Sequence, residues 1–185
     1  VHPDRIDCGV CALRRWRRSD RDALLRHADN RNVWRNLRDL FPHPYTAEAA
    51  DRWLAFNDSP PAGVNVYAID VGGEAVGSIS TRRQGDVEDC GAEIGYWLGE
   101  AFWGRGIMTA AVRETTRVSL AEPDLYRLFA TVFPWNPASM RVLEKCGYRR
   151  EGILERSAVK DGVLIDRALY AITRQPSLPR QPIAS

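Results

Sequence analysis

No apolar run in this chain approaches the ~20 residues needed to cross a bilayer. Its first residues, VHPDRIDCGVCALRR, lack the continuous apolar core of a secretory signal. Both absences lead to the expectation of a cytoplasmic protein without membrane contact. Cysteine is scarce. Cys8, Cys11, Cys90 and Cys146 are too few and too scattered for a disulfide framework in 185 residues. Cys8-Gly-Val-Cys11 has redox or zinc spacing, but no second CxxC and no HxxxH accompanies it. It also precedes a strand-like segment instead of opening a helix, so ordinary reduced thiols are expected. His2, His27 and His43 show no ligand spacing, and no metal is expected. Charge of one sign is lacking too: the formal balance is only +2, low for a general nucleic-acid binder.

What is present is an ordinary globular composition, 44% hydrophobic and 27% charged. A chain of this length buries roughly 70% of the surface its unfolded form exposes. Residues 10–16, VCALRRW, read as a strand. Ser19 is a candidate N-cap for a helix reaching Asn30, with Asp20 and Asp22 in its first turn. Thr46 caps a second helix over 47–57. Alternation predicts strands at 64–71 and 74–83, joined by Gly72-Gly73, a strong hairpin signal. Further strands are expected at 92–98 and 127–133. Helices are expected over 106–122 and 138–146, the second starting at Asn136-Pro137 and closed by Gly147. The segments 148–155 and 163–173 read as a closing antiparallel pair around Asp161-Gly162. The order β-α-α-β-β-β-α-β-α-β-β implies an α+β domain over residues 1–173. It has a single mixed, mostly antiparallel sheet flanked by helices. The tail, 174–185, is rich in proline and is expected to be disordered.

The segment AEIGYWLGEAFWGRGIMTAA joins a strand to a helix through Gly104-Arg105-Gly106. Glycines there make a turn, or they clear side chains from a backbone that touches phosphate. The first amides of a helix have no internal partner, and the helix dipole favours an anion. Arg105 could add a charge-assisted contact. The loop is neither a P-loop nor a full GxGxxG, because Thr109 stands at the third glycine position. A second junction, PWNPASMRVLEKCGYRREG, again follows a strand and opens a helix.

Taken with AEIGYWL, FWGRGIMTAA and the closing KDG…DRALYAI, these segments resemble the GNAT superfamily of acyl-CoA-dependent N-acetyltransferases. The likeness is nearest to the Rim-type branch, the ribosomal-protein N-terminal acetyltransferases, and it covers about residues 10–173. The superfamily loop reads Arg/Gln-x-x-Gly-x-Gly/Ala. Aligned on Gly106, this chain has Trp103 at the first position and the bulkier Met108 at the last. The resemblance implies acetyl-CoA as cosubstrate. The amides of Trp103, Gly104, Arg105, Gly106, Ile107, Met108 and Thr109 would grip its pyrophosphate. The backbone of Trp97 and Leu98 would pair with the pantetheine arm as an added strand does. Asn136 and Ser139 would contact the arm, with Ser139 the acid for the departing thiolate. Each has an ordinary reading beside it: Asn136 is a good N-cap before a proline, and Ser139 a common first-turn residue.

The reaction implied is direct attack by a neutral amine on the acetyl thioester. An α-amine, at pKa ~7.7–8.0, needs only a modest base. Glu93 is the candidate, facing away from Ile94 and Tyr96; its alternative is an edge carboxylate paired with an arginine of a neighbouring strand. A backbone N–H near Tyr96–Leu98 would meet the developing oxyanion. Substrate choice is expected in residues 31–58, with Asn36, Arg38, Asp39, Phe41 and Glu93 as lining candidates, and near Lys160-Asp161. The branch implies a peptide or protein N-terminal α-amine. Relatives also acetylate polyamines, aminoglycosides and amino compounds, and a non-catalytic acyl-CoA sensor is the alternative from another class. Arg14, Arg15, Arg17 and Arg18 around Trp16 read as a solvated strand end or as a patch steering acidic partners. A nucleic-acid module built on them is a weaker alternative. Monomer and homodimer both stay open, with Trp53 or Phe56 serving a dimer or the core.

Overall fold

The computed structural model describes residues 3–175. Most of the expected tail, 176–185, lies outside them. Arg174, at its start, stacks on Tyr126 and donates to the Leu125 carbonyl at 2.8 Å.

The chain runs β1 (Arg5–Asp7), β2 (Ala12–Arg14), α1 (Arg21–Ala28), α2 (Arg31–Trp34), α3 (Ala47–Asp58), β3 (Val64–Val71) and β4 (Glu74–Arg83). It continues through β5 (Gly91–Leu98), α4 (Ile107–Leu120), β6 (Arg127–Val132), α5 (Pro137–Lys145), β7 (Arg149–Lys160) and β8 (Val163–Thr173). All strands join one sheet in the order β1-β2-β3-β4-β5-β6-β8-β7. Every neighbouring pair is antiparallel except β5 and β6. The α+β expectation holds.

Two apolar layers cover the sheet. On one face Leu13, Ile69, Ile79, Ile94 and Leu128 pack under α4 and α5. On the other, Leu24, Ala50, Leu54 and Val66 pack under α1 and α3. Thr46 caps α3 as expected, its hydroxyl accepting from the Ala49 amide at 3.3 Å. Trp53 and Phe56 stack on each other and pack against the second layer.

Local expectations fail in four places. The segment 10–16 is not one strand: β1 and β2 form a hairpin, and Cys8 to Cys11 make its turn. Ser19 does not cap α1. A short 3-10 turn precedes that helix, and the Asp20 carboxylate there is held by Arg14 through both its oxygens. Arg14 is therefore no solvated strand end. It is 3% exposed and also bonds Asp70 at 2.6 Å, because burying a guanidinium demands partners for its donors. Finally, β7 runs on to Lys160 across a bulge, where Arg156 has φ 47°. An edge strand wet on both faces has no reason to alternate, so its sequence looks like loop.

Candidate active site

Strands β5 and β6 begin as a parallel pair, Gly91 with Arg127, Ala92 with Leu128 and Glu93 with Phe129. There the ladder stops. Beyond Glu93, β5 pairs only with β4, while β6 continues along β8. The sheet forks, and the inner backbone edge of β5 from Ile94 to Leu98 faces a cavity of ≈ 1150 Å³. Gly77 on β4 keeps the outer edge tight. A Cβ there would lie 2.4 Å from the Trp97 carbonyl oxygen, so only glycine allows the approach. The Leu98 carbonyl accepts the Trp103 indole N–H at 2.7 Å, which fixes the loop that follows.

That loop delivers α4 to the fork. Gly104 and Gly106 both take positive φ, 75° and 76°, and open space surrounds the place where each would carry a side chain. Gly106 is the N-cap and supplies no capping side chain. Among the described residues, no acceptor meets the amides of Gly104 to Thr109; the first amide to bond back is that of Ala110, to the Gly106 carbonyl at 3.0 Å. The result is a run of free amides at the positive end of a 14-residue helix, with no side chain in front of it. Met108, for all its bulk, is partly buried against the core and also lines the cavity. Arg105 lies over the Phe102 ring at 5.2 Å.

The second junction meets the first from across the fork. The Asn136 side chain caps α5, accepting from the Ser139 amide at 3.1 Å, so its helix-start role is present. The Ser139 hydroxyl lies 2.8 Å from the Tyr96 hydroxyl. Burial pushes the Tyr96 hydroxyl up, and the hydrogen bond to Ser139 pulls it part of the way back. A tyrosine hydroxyl carries its proton at neutral pH in any case, so the pair has protons to give. In the sequence Tyr96 marks the strand's core face and the start of the Tyr96–Leu98 amides expected to meet the oxyanion, and its hydroxyl has no expected role. The missing clue is positional: that face, below the fork, is also the face on which α5 begins.

Glu93 sits at the last rung before the fork, on the opposite face from Tyr96. Its carboxylate pairs with Arg38. The partner comes from the loop after α2, not from a neighbouring strand; Arg82, directly across on β4, forms no ion pair with it. Asn36, Arg38 and Phe41 line the cavity. Asp39 does not. It turns to Lys160, 2.5 Å away, and the Lys160 ammonium, 3% exposed, rests 3.7 Å from the centre of the Trp34 ring. This latch ties the β7–β8 turn to α2. Trp135 adds a second tie, donating to the Arg35 carbonyl at 3.3 Å. Among the described residues no group of three or more metal-ligating side chains occurs, and no helix is long and apolar enough to cross a membrane.

Comparison with known proteins fits this geometry. Residues 11–149 match the family model described as an acetyltransferase (GNAT) domain. "Probable N-acetyltransferase YjcK" of Bacillus subtilis is 46% identical over 81 residues, 44% of this chain and 45% of that protein. The "[Ribosomal protein uS5]-alanine N-acetyltransferase" of Escherichia coli is 28% identical over 98 residues, 53% of this chain and 50% of that one. The chain thus matches about half the length of these two curated relatives. The solved structure of Mycobacterium smegmatis RimJ in complex with CoA-disulfide superposes with a TM-score of 0.77 at 29% identity, covering 93% of this chain and 86% of its own. A family match across most of the chain, on a sheet that forks beside a free helix N-terminus, leaves one conclusion: the chain belongs to the GNAT acetyltransferase family.

Proposed function

We propose that this acetyltransferase moves the acetyl group of acetyl-CoA to the α-amine at the N-terminus of a peptide or protein. The observation that carries the reading is the fork at Glu93, which opens an unpaired strand edge beside the free amides of α4. The site fits the cosubstrate. The Gly104–Thr109 amides suit a pyrophosphate, and the Trp97–Leu98 edge suits the amide-bearing pantetheine arm. Bound acetyl-CoA supplies the activated acyl group. The residues of this chain do the rest.

Glu93 receives a proton from the incoming amine, directly or through a water. An α-amine near pKa ~8 asks little of it. Arg38 holds the carboxylate in place until an ammonium arrives to compete. On the other side of the fork, the Tyr96–Ser139 hydroxyl pair gives a proton to the departing sulfur, Tyr96 being the stronger candidate because a phenol is a better acid than an aliphatic hydroxyl. The ribosomal-protein enzyme among the relatives supports a protein N-terminus as acceptor. Such an acceptor would place the reaction in the cytoplasm.

The test is an acceptor screen with acetyl-CoA, reading free thiol over α-amino peptides, lysine side-chain analogues and polyamines. Thiol release with α-amino peptides above the rest is expected. Tight binding of acetyl-CoA with transfer to no amine would overturn the reading.

A further inference from the structure

We propose that the acceptor is an anionic amine, one that carries a carboxylate within about one residue of the α-amine it presents. This rests on the acetyltransferase reading and narrows it. The observation is an imbalance of charge on the wall of the cavity where Glu93 stands. Directly opposed residues of neighbouring strands share a face, so Val64, Arg82 and Glu93 line up across β3, β4 and β5. This is the face that α3 covers, and Arg52 of α3 lines the same cavity. Arg35, next to α2, lines it too.

Glu93 is already neutralised by Arg38. Glu100, the other acid of the cavity wall, is held by the Asn30 and Asn32 amides at 2.7 and 3.0 Å. Arg167 is occupied by Ser157 and Thr131. Arg35 and Arg82 have no ion pair and no side-chain hydrogen bond among the described residues, and Arg52 has only the through-space attraction of Glu48 one turn back on its own helix. The trough that must admit an ammonium therefore has a net positive wall. A bare cation such as a polyamine meets like charge there. An amine that brings its own carboxylate does not.

Position narrows the ligand further. Arg82 is the cross-strand partner of Glu93, and opposed Cα atoms in an antiparallel pair lie ~4.5–5.5 Å apart. An amine at Glu93 thus meets, in the same cavity, an arginine side chain rooted directly opposite on β4. Guanidinium and carboxylate match as a two-point fork, which makes carboxylate the fitting anion.

The experiment measures kcat and KM on the full chain with acetyl-CoA and three amidated tripeptides, Ser-Asp-Asp, Ser-Asn-Asn and Ser-Lys-Lys. A fourth, Ser-Asn-Asn with a free C-terminus, separates a side-chain carboxylate from a terminal one. The acidic peptide should have a KM roughly fivefold below the neutral one, the scale of partly exposed ion pairs. The basic peptide should lie above both. Arg82→Gln and Arg52→Gln should each bring the acidic-to-neutral ratio of kcat/KM toward one, and Arg82→Lys should retain most of it. Equal KM for the three amidated peptides, or a preference for the basic one, overturns the inference and leaves the acetyltransferase reading standing. Thiol release from none of the peptides removes that reading, and the inference with it.

Discussion

The two ends of the cavity are built on different principles. The end proposed for the cofactor is made of backbone: free amides at the start of α4, an open edge of β5, and glycines where a side chain would intrude. The end proposed for the acceptor is made of side chains drawn from far apart in the chain, with Arg38 against Glu93, and is braced from outside the cavity by Asp39 against Lys160. A backbone site depends on conformation and tolerates many side chains. A side-chain site depends on each pair and tolerates few. The same division decides what mutation does to each end.

The largest effect should come from the proposed proton donors, the Tyr96 and Ser139 hydroxyls. Changing Tyr96→Phe together with Ser139→Ala should lower kcat by about 10²-fold, the low end of general-acid contributions, with the Kd of acetyl-CoA unchanged. A double variant with full kcat would show that the sulfur leaves unaided. Next, Gly106→Val strains a backbone held at φ 76°. The cost is ~1–2 kcal/mol, so acetyl-CoA should bind about tenfold more weakly by calorimetry. The acceptor KM should stay put. If both constants move together, the two ends are not separable in the way described.

The latch probes the acceptor end in the opposite sense. Asp39→Ala leaves the Lys160 ammonium buried against Trp34 without its carboxylate. A loss of about 1–3 kcal/mol in chemical denaturation is expected, together with a raised acceptor KM and an unchanged Kd for acetyl-CoA. The smallest effect lies outside both ends. Arg127 holds the Glu151 carboxyl below its ordinary 4.5 through a two-point contact. Because the folded value is the lower one, the stabilisation is full above pH 4.5 and fades as pH falls through the folded value. The pair is partly exposed, so Glu151→Gln should cost well under ~1 kcal/mol at neutral pH. The Tm difference from wild type should vanish in strong acid.

The same contrast explains what the sequence disclosed. Thr46, Gly72-Gly73, Asn136-Pro137 and Gly147 act locally, and each forms the cap or turn its residue type predicts. The glycine loop was legible for the same reason. Asp39 was misread because its partner, Lys160, is 121 residues away, and no local pattern signals a latch. Arg14 was misread because Arg15, Arg17 and Arg18 follow it in sequence, whereas its neighbours in space are Asp20 and Asp70. Tyr96 required knowing which face of β5 would receive α5. Local chemistry shows in a sequence; the pairing of distant side chains waits for the fold.

The ends of the sheet carry one more consequence. Its outer edges are β1, only three residues long, and β7, bulged and studded with charge. Short and bulged edges are poor templates for a strand from another molecule, so stacking of copies edge to edge into aggregates is discouraged. The long open edge lies inside, at the fork on β5. The molecule is thus adhesive toward an extended ligand within its cleft and unreceptive to strands outside it.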